Sequence, residues 1–225
     1  MAAQSTQELI IQAKDNTRGA QYKTAISYYD TLEARLPMGS IAEEAKLAKI
    51  YIYYKDREPE KAIAEADLFL KTYPNHAYAD YAWYMKGMID YDRALSIIDK
   101  LLPPDRSRIN PAQMKRSLIA FETVVKNYPN GEYAEESLQR AIFLRNNLSK
   151  SEMNVADFYM RRKAYIAAAN RAQNVLDLYD GTPSTVDALY LQVKAYRELK
   201  LDVLANDRLR ILQLNFPRDP RLSKL

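Results

Sequence analysis

The chain has 225 residues, 48% of them hydrophobic, with no cysteine and with 33 Lys and Arg against 29 Asp and Glu. That apolar fraction can bury a core and excludes a wholly disordered chain; the small positive surplus does not point to nucleic acid, which calls for a clustered basic face. Without cysteine there is no disulfide, thiolate metal site or cysteine nucleophile, and no apolar run is long enough for a bilayer span.

Ten helices are expected in chain order: 4–17, 21–36, 40–55, 59–73, 77–94, 110–127, 132–162, 164–179, 183–199 and 202–216. Glycine is rare, at five residues, and the ten prolines fall where helices begin or end. The stretch Leu95 to Pro111 reads as a loop, because Pro103-Pro104 bars a helix and Asn110-Pro111 is a cap followed by proline at the first helical position. The seventh helix has neither Gly nor Pro from Glu132 to Arg162. It would be about 45 Å long at 1.5 Å per residue, with Ser149 as the place for a bend.

Five punctuation marks recur: Leu36-Pro37, Tyr73-Pro74, Tyr128-Pro129, Tyr179-Asp180 and Phe216-Pro217, spaced 37, 55, 51 and 37 residues apart. Two intervals are equal and two carry insertions of 18 and 14 residues, in the third and fourth repeats. Twelve residues before each mark stands a small residue: Ala25, Ala62, Ser117, Ala168 and Ala205. Twenty-one before it stand Asn16, Tyr53, Tyr159 and Tyr196, with the third repeat interrupted there. A small residue lets the second helix of a hairpin approach the first, a tyrosine covers the gap, and the proline ends the second helix so that the chain reverses.

This is the layout of the tetratricopeptide (TPR) pattern, W-x2-L-G-x2-Y, then A-x3-F, then P. Trp83 and Gly87 match its first part in the third repeat, where Lys86 and Asp90 replace the Leu and Tyr; Ala25-x3-Tyr29 and Ser117-x3-Phe121 echo the second. The expected fold is all-α, a TPR-like solenoid of about five helical hairpins forming one domain over residues 1–225.

No catalytic constellation accompanies it, so the chain reads as a binding scaffold and not an enzyme, with no cofactor and no metal. His76 is the sole histidine and lies in a turn between repeats, a structural or solvent-facing place. Glu43-Glu44 and Glu135-Glu136 are adjacent, so they diverge by about 100° on a helix and read as solvated charge near helix N-termini. Gly19, Gly39 and Gly131 sit in turns.

In a TPR solenoid the first helix of each repeat lines the concave groove. The register places Leu47, Tyr51, Tyr54, Tyr81, Tyr84 and Met88 there in repeats 2 and 3, with Lys55 and Lys86 nearby. Repeats 4 and 5 place Met153, Asp157, Met160, Arg161, Tyr190, Lys194 and Arg197 there, a more charged lining. Tyrosine and methionine make an adaptable peptide-binding surface; packing between repeats is the competing role for any one tyrosine.

Several segments resemble the BamD family (ComL in some bacteria), the TPR lipoproteins of the outer-membrane β-barrel assembly (BAM) machine. They are Gln21-Tyr22-Lys23-Thr24-Ala25-Ile26, Leu36-Pro37-Met38-Gly39, Ile50-Tyr51-Ile52-Tyr53-Tyr54-Lys55, Tyr73-Pro74-Asn75-His76, Asp80-Tyr81-Ala82-Trp83-Tyr84-Met85-Lys86-Gly87, Asp105-Arg106-Ser107, Tyr128-Pro129-Asn130 and Ala168-Ala169-Asn170-Arg171. The resemblance implies a protein on the periplasmic face of the outer membrane, held by an N-terminal lipid. It implies binding to the POTRA domain of BamA nearest the barrel through the C-terminal repeats, 131–225, where Asn170-Arg171 matches a family dipeptide. Other BAM lipoproteins are implied partners. The N-terminal repeats, 1–130, would receive the aromatic C-terminal signal of unfolded outer-membrane β-barrel proteins.

Two features depart from the family. Its lipid-bearing cysteine is not in this sequence, so the anchor is expected upstream of it, and Leu36-Pro37-Met38-Gly39 replaces a more aromatic turn. The alternative is a cytosolic TPR adaptor or co-chaperone that binds peptide ends; a leader and lipobox cysteine upstream would decide against it.

Overall fold

A computed structural model describes residues 4–95 and 111–225. Among them are ten α-helices and no strand: α1 (Thr6–Arg18), α2 (Tyr22–Arg35), α3 (Ser40–Lys55), α4 (Pro59–Thr72), α5 (Ala79–Ala94), α6 (Pro111–Asn127), α7 (Ala134–Arg161), α8 (Tyr165–Leu178), α9 (Ser184–Glu198) and α10 (Asp202–Asn215), followed by a 3-10 turn, Pro220–Lys224. Each expected helix is present, the fifth starting at Ala79 where 77 was expected. Of the stretch read as a loop, residues 96–110, including Pro103-Pro104 and the Asn110 cap, lie outside the described residues.

The helices form where local chemistry starts and stops them. Ser5 and Glu8 make a reciprocal capping box: the Glu8 amide donates to Ser5 Oγ at 3.2 Å and the Ser5 amide to Glu8 Oε2 at 2.7 Å. Pro59 and Pro111 occupy first helical positions, where a missing N–H costs nothing. Glu43 falls in the first turn of α3 and Glu135 and Glu136 in that of α7. At the closing marks Leu36, Tyr73, Tyr179 and Phe216 cap their helices with φ between −130° and −133°. A following proline disfavours helical geometry in the residue before it, yet Tyr179 precedes Asp180 and adopts the same φ.

The turn inside each hairpin has one construction that the sequence does not signal. Ala20, Arg57, Lys163 and Lys200 sit at φ 55–60°, each 17 residues before its closing mark. Around them the backbone closes as a Schellman motif: for Arg57, the Glu58 amide donates to the Tyr53 carbonyl at 2.9 Å and the Arg57 amide to Tyr54 at 3.2 Å. The amides of Gln21, Ala164 and Leu201 donate in the same way to Asn16, Tyr159 and Tyr196. The residues recurring 21 before each mark are therefore the carbonyl acceptors that end the first helix.

The five small residues are fully or almost fully buried, at 0–1% exposure. Two compact units follow, residues 1–141 and 142–225, with α7 contributing to both. In the first, successive helices α1 to α6 pack in sequence order. One core gathers Leu9, Ala13, Ala25, Tyr29, Leu32, Ala45 and Ile52, and a second Ile50, Ala66, Phe69, Ala82 and Met85. In the second unit α8 packs on α9 and α9 on α10, with the core on Met153, Ala156, Ala168, Ala172, Val175 and Leu191. Ser149, the expected bend, lies inside one unbroken 28-residue helix; its hydroxyl donates to the Asn146 carbonyl and bonds Ser184 Oγ, both at 3.0 Å.

A buried cation ties the first unit together. Lys49 on α3, 5% exposed, pairs with Asp30 (3.1 Å) and Glu33 (2.6 Å) of α2 and Glu65 (3.1 Å) of α4. Burial alone would push its pKa down, but the surrounding carboxylates outweigh that and hold it well above the usual lysine range. An unpaired buried ammonium would be costly, so these acids fix how α2, α3 and α4 lie against one another.

Candidate functional site

Spacings of three and four residues put Leu47, Tyr51 and Tyr54 on one face of α3, and Tyr81, Tyr84 and Met88 on one face of α5. Leu47, Tyr54, Tyr81 and Tyr84 all rest, half-buried, on the core of Ile50, Phe69 and Met85, so the structure brings them together. Tyr51 is 40% exposed and Met88 is half-buried. Tyr133, just before α7, completes the face: its ring stacks on Tyr84 at 4.6 Å and lies 5.6 Å from Tyr81. The sequence reading missed it, although Tyr133 follows Tyr128 by five residues as Tyr78 follows Tyr73.

The phenols of this face are tied to acids. Tyr54 donates to Asp92. Tyr84 donates to Glu136 at 2.8 Å, and Glu136 also accepts from Arg140 Nε at 2.9 Å. Burial, with Asp92 beside it, pushes the Tyr54 phenol up to about 12; burial raises Tyr81, and burial with Glu136 raises Tyr84. Glu136 is held below the usual range because its bonds to Arg140 and Tyr84 outweigh its burial. At neutral pH the face therefore presents neutral phenols and apolar ring surface.

The two lysines differ. Lys55 Nζ lies 5.9 Å from the Tyr51 ring centroid, at the edge of the face. Lys86 pairs with Asp67 of α4 at 2.5 Å and sits 4.5 Å over Trp83, so it is engaged away from the tyrosines. Beyond Tyr54 a cleft of about 530 Å³ opens at the C-terminal ends of α3 and α5.

His76 is structural. It accepts the Tyr78 amide on Nδ1 at 3.1 Å, so Nε2 faces Glu43 at 3.3 Å as the donor, and Phe69 meets its ring edge-on at 5.2 Å.

In the second unit a cleft of about 390 Å³ is lined by Met153, Asp157 and Met160 of α7, Tyr190 and Lys194 of α9, and Arg221. Five positions expected from the register thus meet. Arg161 and Arg197 are not in the lining; Arg197 donates to the Leu225 carbonyl. The sequence reading missed Arg221, which pairs with Asp187 at 2.6 Å and Asp219 at 2.8 Å and lies 5.1 Å over Tyr190. It arrives from the turn after the last helix, outside any repeat register. Its hydrogen bonds hold the Asp219 carboxyl down to about 2.

Asn170 is exposed on α8. Arg171 beside it is half-buried and donates from Nη1 to Glu152 of α7 at 3.1 Å. It is thus engaged in an ion pair within the chain.

A family model described as outer membrane lipoprotein (YfiO) matches residues 2–211. The outer membrane protein assembly factor BamD of Neisseria meningitidis serogroup B is 36% identical over 220 residues, covering 98% of this chain and 82% of that protein. Its counterparts in Pasteurella multocida (32% identical, 93% of this chain, 80% of that one) and Vibrio cholerae (31%, 92% and 86%) are similar over comparable spans. With the family model matching residues 2–211 of the chain and this identity to relatives sharing one name, the chain belongs to the BamD (YfiO, ComL) family of outer membrane lipoproteins.

Proposed function

We propose that this protein is a non-enzymatic scaffold for assembling outer-membrane β-barrel proteins, working on the periplasmic face of the outer membrane under an N-terminal lipid anchor. Its C-terminal repeats bind BamA at the POTRA domain nearest the barrel, around Asn170 and Arg171, and it holds other BAM lipoproteins. Its N-terminal repeats receive the aromatic C-terminal signal of unfolded barrel proteins. The relatives' shared name, outer membrane protein assembly factor, supports the general role. The observation that carries the signal site is the gathering of Leu47, Tyr54, Tyr81 and Tyr84 on one half-buried face, with Tyr133 stacked on it and the exposed Tyr51 on the same face of α3. Aromatic pairs add about 0.5–1.5 kcal/mol beyond burial, enough for the modest affinity of a site that passes its cargo on.

The test is a fluorescence titration with a peptide copied from a barrel C-terminus, against the parent and Tyr51→Ala/Tyr84→Ala, with the peptide's last aromatic changed to Ala as control. We expect about tenfold weaker binding in the double variant and with the control peptide. A thermal melt of the variant separates lost binding from lost fold. Binding equal to the parent's in both arms would return these tyrosines to packing between repeats.

A further inference from the structure

The tyrosine face ends at Tyr54, which also lines the 530 Å³ cleft. Pro59, Ile89 and Leu95 continue the apolar wall, and Lys55, Arg57, Asp92 and Arg93 bring the charge. Two of these four charges are already committed: Asp92 accepts the Tyr54 phenol, and Arg93 Nη2 donates to Glu60 at 2.8 Å. Lys55 and Arg57 have no carboxylate partner among the described residues. Nor are they needed to satisfy the end of α3, whose last carbonyls accept amides of the turn: Ile52 from Asp56 at 2.8 Å, Tyr54 from Arg57 at 3.2 Å and Tyr53 from Glu58 at 2.9 Å. Arg57 has a left-handed backbone, φ 60°, two residues before the helix that walls the cleft. Two uncompensated cations thus stand against an apolar wall in a space within the range of ligand clefts, about 300–1,000 Å³.

We propose that this cleft holds the terminal α-carboxylate of a polypeptide whose last side chain is apolar, with Lys55 and Arg57 as the cationic partners and the wall from Tyr54 to Ile89 taking the side chain. This rests on the reading of the tyrosine face as a peptide site, and it sets the direction of the bound chain: its end lies at the C-termini of α3 and α5, and the preceding residues run back over Tyr51 and Tyr84. A chain end offers an apolar side chain and a carboxylate on the same residue, which is the pairing that the cleft complements. A glutamate within a peptide carries its charge two methylenes from the backbone and brings no apolar group with it.

The experiment compares three labelled peptides of one barrel-like sequence by fluorescence anisotropy: the free acid, the C-terminal amide, and the amide with an internal Glu. The parent should bind the acid about three- to tenfold more tightly than either amide, a margin that shrinks as salt rises, as expected for exposed ion pairs. Lys55→Gln/Arg57→Asn should bring the acid down to the amide's affinity and leave the amide unchanged; asparagine tolerates the positive φ at 57, so the turn is kept. Lys86→Gln should leave the margin intact. Acid and amide binding the parent equally, or a margin surviving the double variant, overturns the carboxylate site while leaving the tyrosine face as a peptide site. An internal Glu that restores acid-like affinity also overturns it, in favour of any carboxylate. Failure of all three peptides to bind the parent overturns both readings.

Discussion

A Cβ built on Gly87 would stand 2.6 Å from Cε1 of Phe121, and the Gly87 carbonyl accepts the Ser117 hydroxyl at 2.8 Å. The third hairpin thus crosses at the glycine of the TPR pattern, with the small residue of the second helix opposite. Gly87→Ala should destabilise by about 1–3 kcal/mol, the usual cost of overpacking, read as a shift of the denaturant midpoint at constant slope; an unchanged midpoint would mean that Phe121 swings aside without loss. Asp90, where that pattern has a tyrosine, is buried and takes Arg116 of α6 in a two-point grip at 2.9 and 2.8 Å. The tyrosine face carries a pH signature. The folded pKa of Tyr54 is raised to about 12 by burial and Asp92. Its neutral phenol therefore contributes stability that is fully present below its unfolded pKa of about 10 and lost as pH rises through about 12. Tyrosinate absorbance should show Tyr54 among the late-ionising of the 18 tyrosines, and Tyr54→Phe should remove one equivalent from the late phase. Removal from the early phase would show that Tyr54 is neither buried nor held by Asp92 in solution.

Helix boundaries were legible because proline, glycine and capping residues act within a few residues of where they stand. The hairpin turn was not. Ala20, Arg57, Lys163 and Lys200 occupy a left-handed conformation that costs a non-glycine residue about 1–2 kcal/mol, so no glycine advertises it. Packing of the two helices imposes the turn, and the recurrence of an aromatic or amide residue four places earlier was its one visible trace. Small residues at the crossings were fully legible, since a spacing of twelve before each mark survives both insertions. Ala62 and Ala168 are at 0% exposure, in different units. Leucine at either should cost about 1–3 kcal/mol. Repeat stability is carried by neighbouring hairpins, so hydrogen exchange should quicken in the adjoining helices as well as in the mutated one. Unchanged melting of both variants would remove these alanines from the crossings.

Over the whole chain, register alone foresaw most of two surfaces, because one face of each first helix is repeated hairpin after hairpin. It lost residues that reach a surface from outside the repeat: Tyr133 from the segment before α7, and Arg221 from the turn after α10. Charge partners were the least legible, since they depend on side-chain reach across helices. Lys86 turns to Asp67, and Arg171 to Glu152. That last pair shapes how the proposed BamA surface has to be tested. Arg171→Glu alone would face Glu152, whose side chain is 13% exposed, with a second negative charge. Lost BamA binding would then mix a broken interface with a strained α7–α8 contact. Arg171→Glu/Glu152→Arg restores an ion pair of reversed polarity while leaving the outward charge changed. If Arg171 contacts BamA, the single and the double variant should both lose about tenfold or more in affinity, as truncation or reversal at interface arginines commonly does, while the double variant regains the parent's melting temperature. If the double variant binds BamA as the parent does, Arg171 serves the α7–α8 contact alone. The interface then has to be sought elsewhere on the second unit, starting from exposed Asn170 and from Ile166 on the same helix, 64% exposed.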